Sequence, residues 1–180
     1  KDLGTGEGSS EKEHANEYSV KTLNHNDIVP EYDVYWAFAD LMGKVSDIIV
    51  DARFGQTKIG YFAKDDGSIA AAAQPGTLVG WNLYESEELF KLFSKYLQSG
   101  LPEPEVEELF LSMLSTQIHE TVHLREGSNE WTHDEKFKKR QAELSVELLK
   151  QLPAFRKLLF DVKAKYRGTW CNTDMFRDYF

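Results

Sequence analysis

The pentapeptide His119-Glu120-Thr121-Val122-His123 lies in a stretch, residues 103 to 126, where Val106, Leu109, Phe110, Met113, Leu114 and Ile118 recur at helical spacing and which Gly127 ends. An apolar stripe of this kind predicts a buried central helix. On a helix, residues i and i+4 share one face, so both imidazoles can reach one ion while Glu120 stands beside them. A chain carrying this segment must build its fold around a long helix and must supply further donors from another element. Catalytic zinc normally takes three protein ligands and keeps a fourth position open.

His133, ten residues after His123, is the candidate third ligand. Thr132-His133-Asp134-Glu135 reads as a capping box that starts a helix at His133. The positive end of a helix dipole disfavours imidazolium there, and neutral imidazole is the form that binds metal. Asp134 is a rival, either as the ligand itself or as an acceptor for a ligand imidazole. Glu126 is a weaker rival, because one straight helix does not easily wrap three donors round an ion. The expected site is thus Zn2+ on His119, His123 and His133. Glu120 is the general base, taking a proton from the water that attacks a carbonyl and passing it to the leaving amine. The bland alternative is a pair of half-buried helix histidines with hydrogen-bonded neighbours and a locally paired Glu120.

At 180 residues with 41% hydrophobic content, the chain supports one core and is short for two. Residues 1–30 are poor in apolar groups and read as an arm or loosely packed lead-in, leaving 31–180 as the domain. Val34, Phe38, Leu41, Met42 and Val45 predict a helix over 31–47. Lys58 to Ala63, Ile69 to Gln74 and Leu78 to Tyr84, separated by Asp65-Asp66-Gly67 and Pro75-Gly76, read as an antiparallel meander. Ile48 to Ala52 is either a fourth strand or the tail of the first helix. Helices are expected over 87–98, 103–126, 133–151 and 154–166, with Pro153 breaking the last two apart. Trp170 to Phe180 forms an aromatic tail that packs back on the core or docks on a partner. The expected class is α+β: a small antiparallel sheet of three to four strands packed on helices, with the His-Glu-x-x-His helix at the centre.

Composition narrows the partners. The net charge of -9 disfavours nucleic acid, yet residues 136–167 carry ten Lys and Arg against three Asp and Glu. That stretch is either a solvated helical surface or a patch that meets a phosphate backbone. The single Cys171 excludes an intrachain disulfide and any multi-cysteine zinc site, and suits a reducing, intracellular setting. No run approaches the roughly 18 apolar residues that a membrane span needs.

His119 to His123, together with His133-Asp134-Glu135-Lys136-Phe137, resembles the SprT-like metallopeptidases and the minimal gluzincin-type core they share with other small peptidases. Less securely, the likeness extends over residues 57–99. The resemblance implies a zincin-like fold, zinc, and endopeptidase activity on protein or peptide substrates, with Glu120 in the catalytic position. The family usually has Gly where this chain has Asp134, and many members carry a zinc ribbon that one cysteine cannot build. The competing expectation is a catalytically inactive, metal-stabilised binding or structural protein. For a peptidase, Leu78 to Tyr84 is the expected sheet edge on which an extended substrate pairs, and Tyr84, Tyr166 and Arg167 are candidate oxyanion donors.

Overall fold

A computed structural model describes residues 20–23, 33–49, 57–65, 67, 69–74, 78–125 and 133–167. Among these the order is α1 (Asp33–Ile49), β1 (Lys58–Phe62), β2 (Ala71–Gln74), β3 (Leu78–Asn82), α2 (Glu87–Gln98), α3 (Glu103–Arg125) and α4 (Glu135–Lys165), an α+β arrangement. The first helix runs to Ile49, so Ile48 and Ile49 belong to it; residues 50–52 lie outside the described set. α2 stops where Gly100 takes φ +85°, a left-handed turn that glycine adopts without a Cβ clash.

The sheet is mixed and its order is β1-β3-β2, which corrects the expected antiparallel meander. β1 runs parallel to β3, with Tyr61 opposite Trp81, and β2 runs antiparallel to β3, with Ala72 opposite Gly80. Asn82, fully buried at the end of β3, explains the topology. Its Nδ2 donates to the carbonyls of Lys64 and Ile69, both at 3.0 Å, and its Oδ1 accepts from the amides of Lys64 and Tyr84 at 3.2 Å. Both ends of the β1–β2 connection are therefore pinned at the end of β3, so the chain crosses that strand and lays β2 on its far side. β3 is the central strand, and it is β2, not β3, that borders the helical site. From the segment ahead of α1, Lys21 bridges Tyr61 on the other side of β1. Val20 there covers Gly60 and Gly80, where an added Cβ would come within 2.6 Å of its side chain.

Every other helix, together with β2 and β3, packs on α3. Leu109, Phe110, Met113, Leu114, Ile118 and Val122 are all buried. Phe38 meets the rings of Trp81, Phe90 and Phe93 edge-on at centroid distances of 4.8, 5.0 and 5.7 Å. A buried polar chain fixes the roll of α3 within this apolar interior. Trp81 Nε1 donates to Gln117 Oε1 at 3.0 Å, and Gln117 Nε2 donates to Ser46 Oγ at 2.9 Å. Gln117 is two residues before His119, so the side of α3 that carries the histidines is set against β3 and α1 together.

α4 is one helix of 31 residues with Pro153 inside it, where two helices were expected. Phe137, Leu144, Leu148, Phe155, Leu159 and Val162 are buried along a single face that continues across the proline. Burial of that face outweighs the lost backbone hydrogen bond. Because an interior proline still costs a helix up to about 3 kcal/mol, Pro153→Ala is expected to stabilise the protein by about 1–2 kcal/mol. A thermal melt should show the midpoint rising by a few degrees; a fall would mean that Pro153 relieves a packing constraint.

Candidate metal centre

His119 and His123 occupy successive turns of α3 and are half-buried, whereas His133 precedes α4 and is exposed. Its Nε2 lies 3.1 Å from His119 Nε2 and 3.2 Å from His123 Nε2. One nitrogen from each ring falls within 4.8 Å of the others, so the three residues are placed to hold one metal ion. All three rings pack against buried Phe137, at centroid distances of 5.0, 4.5 and 4.7 Å for His119, His123 and His133.

The start of α4 corrects the expected capping box. The cap is Asp134, whose Oδ1 accepts from the Phe137 amide at 2.7 Å, and the helix begins at Glu135. Thr132 and Glu126 lie outside the described residues. Asp134 is no member of the histidine cluster, because its carboxylate is committed to the first turn of α4. Capping fixes Phe137, and Phe137 supports the imidazoles, so a residue weighed as a ligand acts one step behind them.

Glu120 is 7% exposed and projects toward the sheet, where its Oε2 accepts from the Ala73 amide of β2 at 2.8 Å. Burial pushes its carboxyl up to about 8, against the opposing pull of that amide. Burial also holds His119 below the ordinary imidazole range, with the charge of His133 adding to it. For His123 burial, then His119 and His133, bring the value down to about 4. The metal-free site thus favours neutral imidazoles at His119 and His123, the form ready to coordinate, while a divalent cation beside Glu120 would favour its carboxylate.

A stability consequence follows for the metal-free protein. The Glu120 value is raised above its unfolded value of 4.5, so its contribution is fully present below about pH 4.5 and is lost as pH rises through about 8. Glu120→Gln removes that titration. In chelator, urea melts of the variant and the wild type should therefore diverge between pH 5 and 8, with the variant relatively more stable at the alkaline end. Parallel curves would show that Glu120 does not titrate in that range.

Among the described residues, no further strand pairs with the outer edge of β2, which borders this site. The Asn82 amide donates to the Ala70 carbonyl, so alternation along the antiparallel ladder turns Ala72 toward β3 and leaves Ala71 and Ala73 projecting their backbone groups outward. The Ala73 amide is the one Glu120 holds, and nothing in the sequence signalled that contact. Tyr166 and Arg167 follow the far end of α4, roughly 45 Å along its axis from His133, which removes them as oxyanion donors. Along α4, Lys138, Arg140, Lys150, Arg156, Lys157 and Lys165 hold the carboxylates of Glu135, Glu143, Glu147, Glu107, Asp161 and Asp40. Among the described residues, no helix is long and apolar enough to cross a membrane.

Comparison with family models, with curated proteins and with solved structures found no match to this chain.

Proposed function

We propose that the chain is a zinc-dependent endopeptidase of the SprT-like, zincin-like kind, with His119, His123 and His133 as ligands and Glu120 as general base. The observation that carries this is the convergence of three imidazole nitrogens on the helix turn next to a buried carboxylate that binds the outer edge of β2. Zinc–nitrogen bonds of about 2.0–2.1 Å in a tetrahedral site separate two ligand nitrogens by about 3.3 Å. The His133 separations of 3.1 and 3.2 Å are within a few tenths of that. An all-imidazole donor set suits zinc better than magnesium or calcium, which take oxygen ligands.

Zinc held there supplies a Lewis acid and makes water acidic near neutral pH. The chain's own residues do the rest. Glu120 accepts the proton of the attacking water on a carboxylate oxygen and returns it to the leaving nitrogen. β2, rather than the β3 edge expected from the sequence, offers Ala71 N–H and C=O to an extended peptide, which pairs there as an added strand. Phe137 and Asp134 keep the ligand rings in place.

Metal removal tests the proposal. Zinc-loaded protein should cleave an unfolded protein such as casein, lose the activity in chelator, and regain it with one equivalent of zinc. A protein that binds zinc and leaves casein and peptides intact would instead be a metal-stabilised binding protein.

A further inference from the structure

Beside His119 and Glu120 opens a cleft of about 290 Å³. Ser115 and Thr116, one turn earlier on α3, form one side of it; Ile69 and Ala70, which lead into β2, Ala71 at its start and Gln141 on α4 form the others. Two hydroxyl residues and a carboxamide, each able to donate and accept, thus line a space whose strand wall is apolar, Ile69 with the methyl groups of Ala70 and Ala71. Among the residues lining it, the sole ionisable groups are His119 and Glu120.

We infer that this cleft receives an uncharged, hydrogen-bonding side chain, Ser, Thr, Asn or Gln, on the residue that follows the scissile bond, and that Gln141 selects it. The inference rests on the peptidase proposal. Glu120 meets β2 at Ala73, and Ala71 lies two residues nearer the start of that strand. A substrate paired antiparallel to β2 runs the other way, so the end lined by Ala70 and Ala71 takes residues beyond the cut. A carboxylate there would lose water, and no lysine or arginine lines the cleft to offset that loss. A lysine would be drawn to Glu120 and compete with the proton transfer. An aliphatic side chain would displace water from Ser115, Thr116 and Gln141 and return no hydrogen bond.

The test has an activity arm and a binding arm. Zinc-loaded wild type is given a peptide library of broad composition, and the cut positions are read by mass spectrometry. Ser, Thr, Asn and Gln should be enriched after the cut, and Asp and Glu depleted by about tenfold. Gln141→Lys should shift the preference toward Asp and Glu, while Gln141→Ala should flatten it. In the binding arm, Ala-Ala-Gln-Ala-Ala and Ala-Ala-Glu-Ala-Ala are titrated into zinc-loaded Glu120→Gln protein and followed by the backbone amide signals of Ser115, Thr116 and Gln141. The Gln peptide should move those signals and bind about tenfold more tightly. Cutting without preference, an unchanged profile in Gln141→Lys, or equal binding of the two peptides overturns the assignment of the cleft. If the wild type cuts nothing while the peptides are discriminated at these three residues, the peptidase proposal fails and the cleft stands as a binding site.

Discussion

Zinc-loaded Glu120→Gln protein is expected to hydrolyse peptides about a thousandfold more slowly than wild type while retaining one zinc per chain. General acid–base help of this kind is worth about 10²–10⁴ in rate, and a carboxamide can neither take nor return the proton. Zinc content should hold because Glu120 is outside the histidine cluster. Folding should hold as well, since the Gln carbonyl can accept the Ala73 amide that Glu120 accepts now at 2.8 Å. Steady-state kinetics on a fluorogenic peptide, alongside metal analysis, provide the measurement. Activity that survives the substitution would rule out Glu120 as the base and with it the proposed mechanism.

His133→Ala should weaken zinc binding by at least about a hundredfold, since the two ligands on α3 would be left to share the ion with water. Asp134 supplies the internal comparison. Its role is to cap α4 and thereby seat Phe137, so Asp134→Ala should lose a cap worth about 1 kcal/mol and weaken zinc by about fivefold. Asp134→Asn, a comparable cap, should bind zinc nearly as wild type does. Competition with a chromophoric chelator distinguishes the cases. Equal losses in His133→Ala and Asp134→Asn would make Asp134 a ligand, contrary to its commitment to the Phe137 amide.

Much of the site was legible because its geometry is local. His119 and His123 are one helical turn apart, so the periodicity of their segment already places both rings on one side of α3. α2 matches its expected limits, because the acidic start at Glu87 and Glu88 and the glycine stop at Gly100 act within a turn of the helix ends. His133 was within reach for a different reason: it stands only eight residues after Arg125, where α3 ends, and so few residues keep it in reach of that helix.

Where local signals competed, they misled. The sequence reads as a capping box at Thr132, but Asp134 is the cap, with Phe137 buried against the imidazoles. Pro153 signalled a break, yet the apolar face from Phe137 to Val162 keeps its register through it, and its burial holds α4 together. Turn residues around Gly67 suggested a hairpin, but strand pairing depends on contacts remote in sequence. Asn82 made the sheet mixed by hydrogen-bonding Lys64 and Ile69 across eighteen and thirteen residues. The amide that Glu120 meets is 47 residues away in sequence, and the hydroxyls and carboxamide of the cleft come from α3 and α4. Spacing within one helix is a property of backbone geometry and can be read from composition and period. Which strand lies beside that helix, and which polar groups join it, follow from packing the whole core, where burial of many side chains at once outweighs any single local preference.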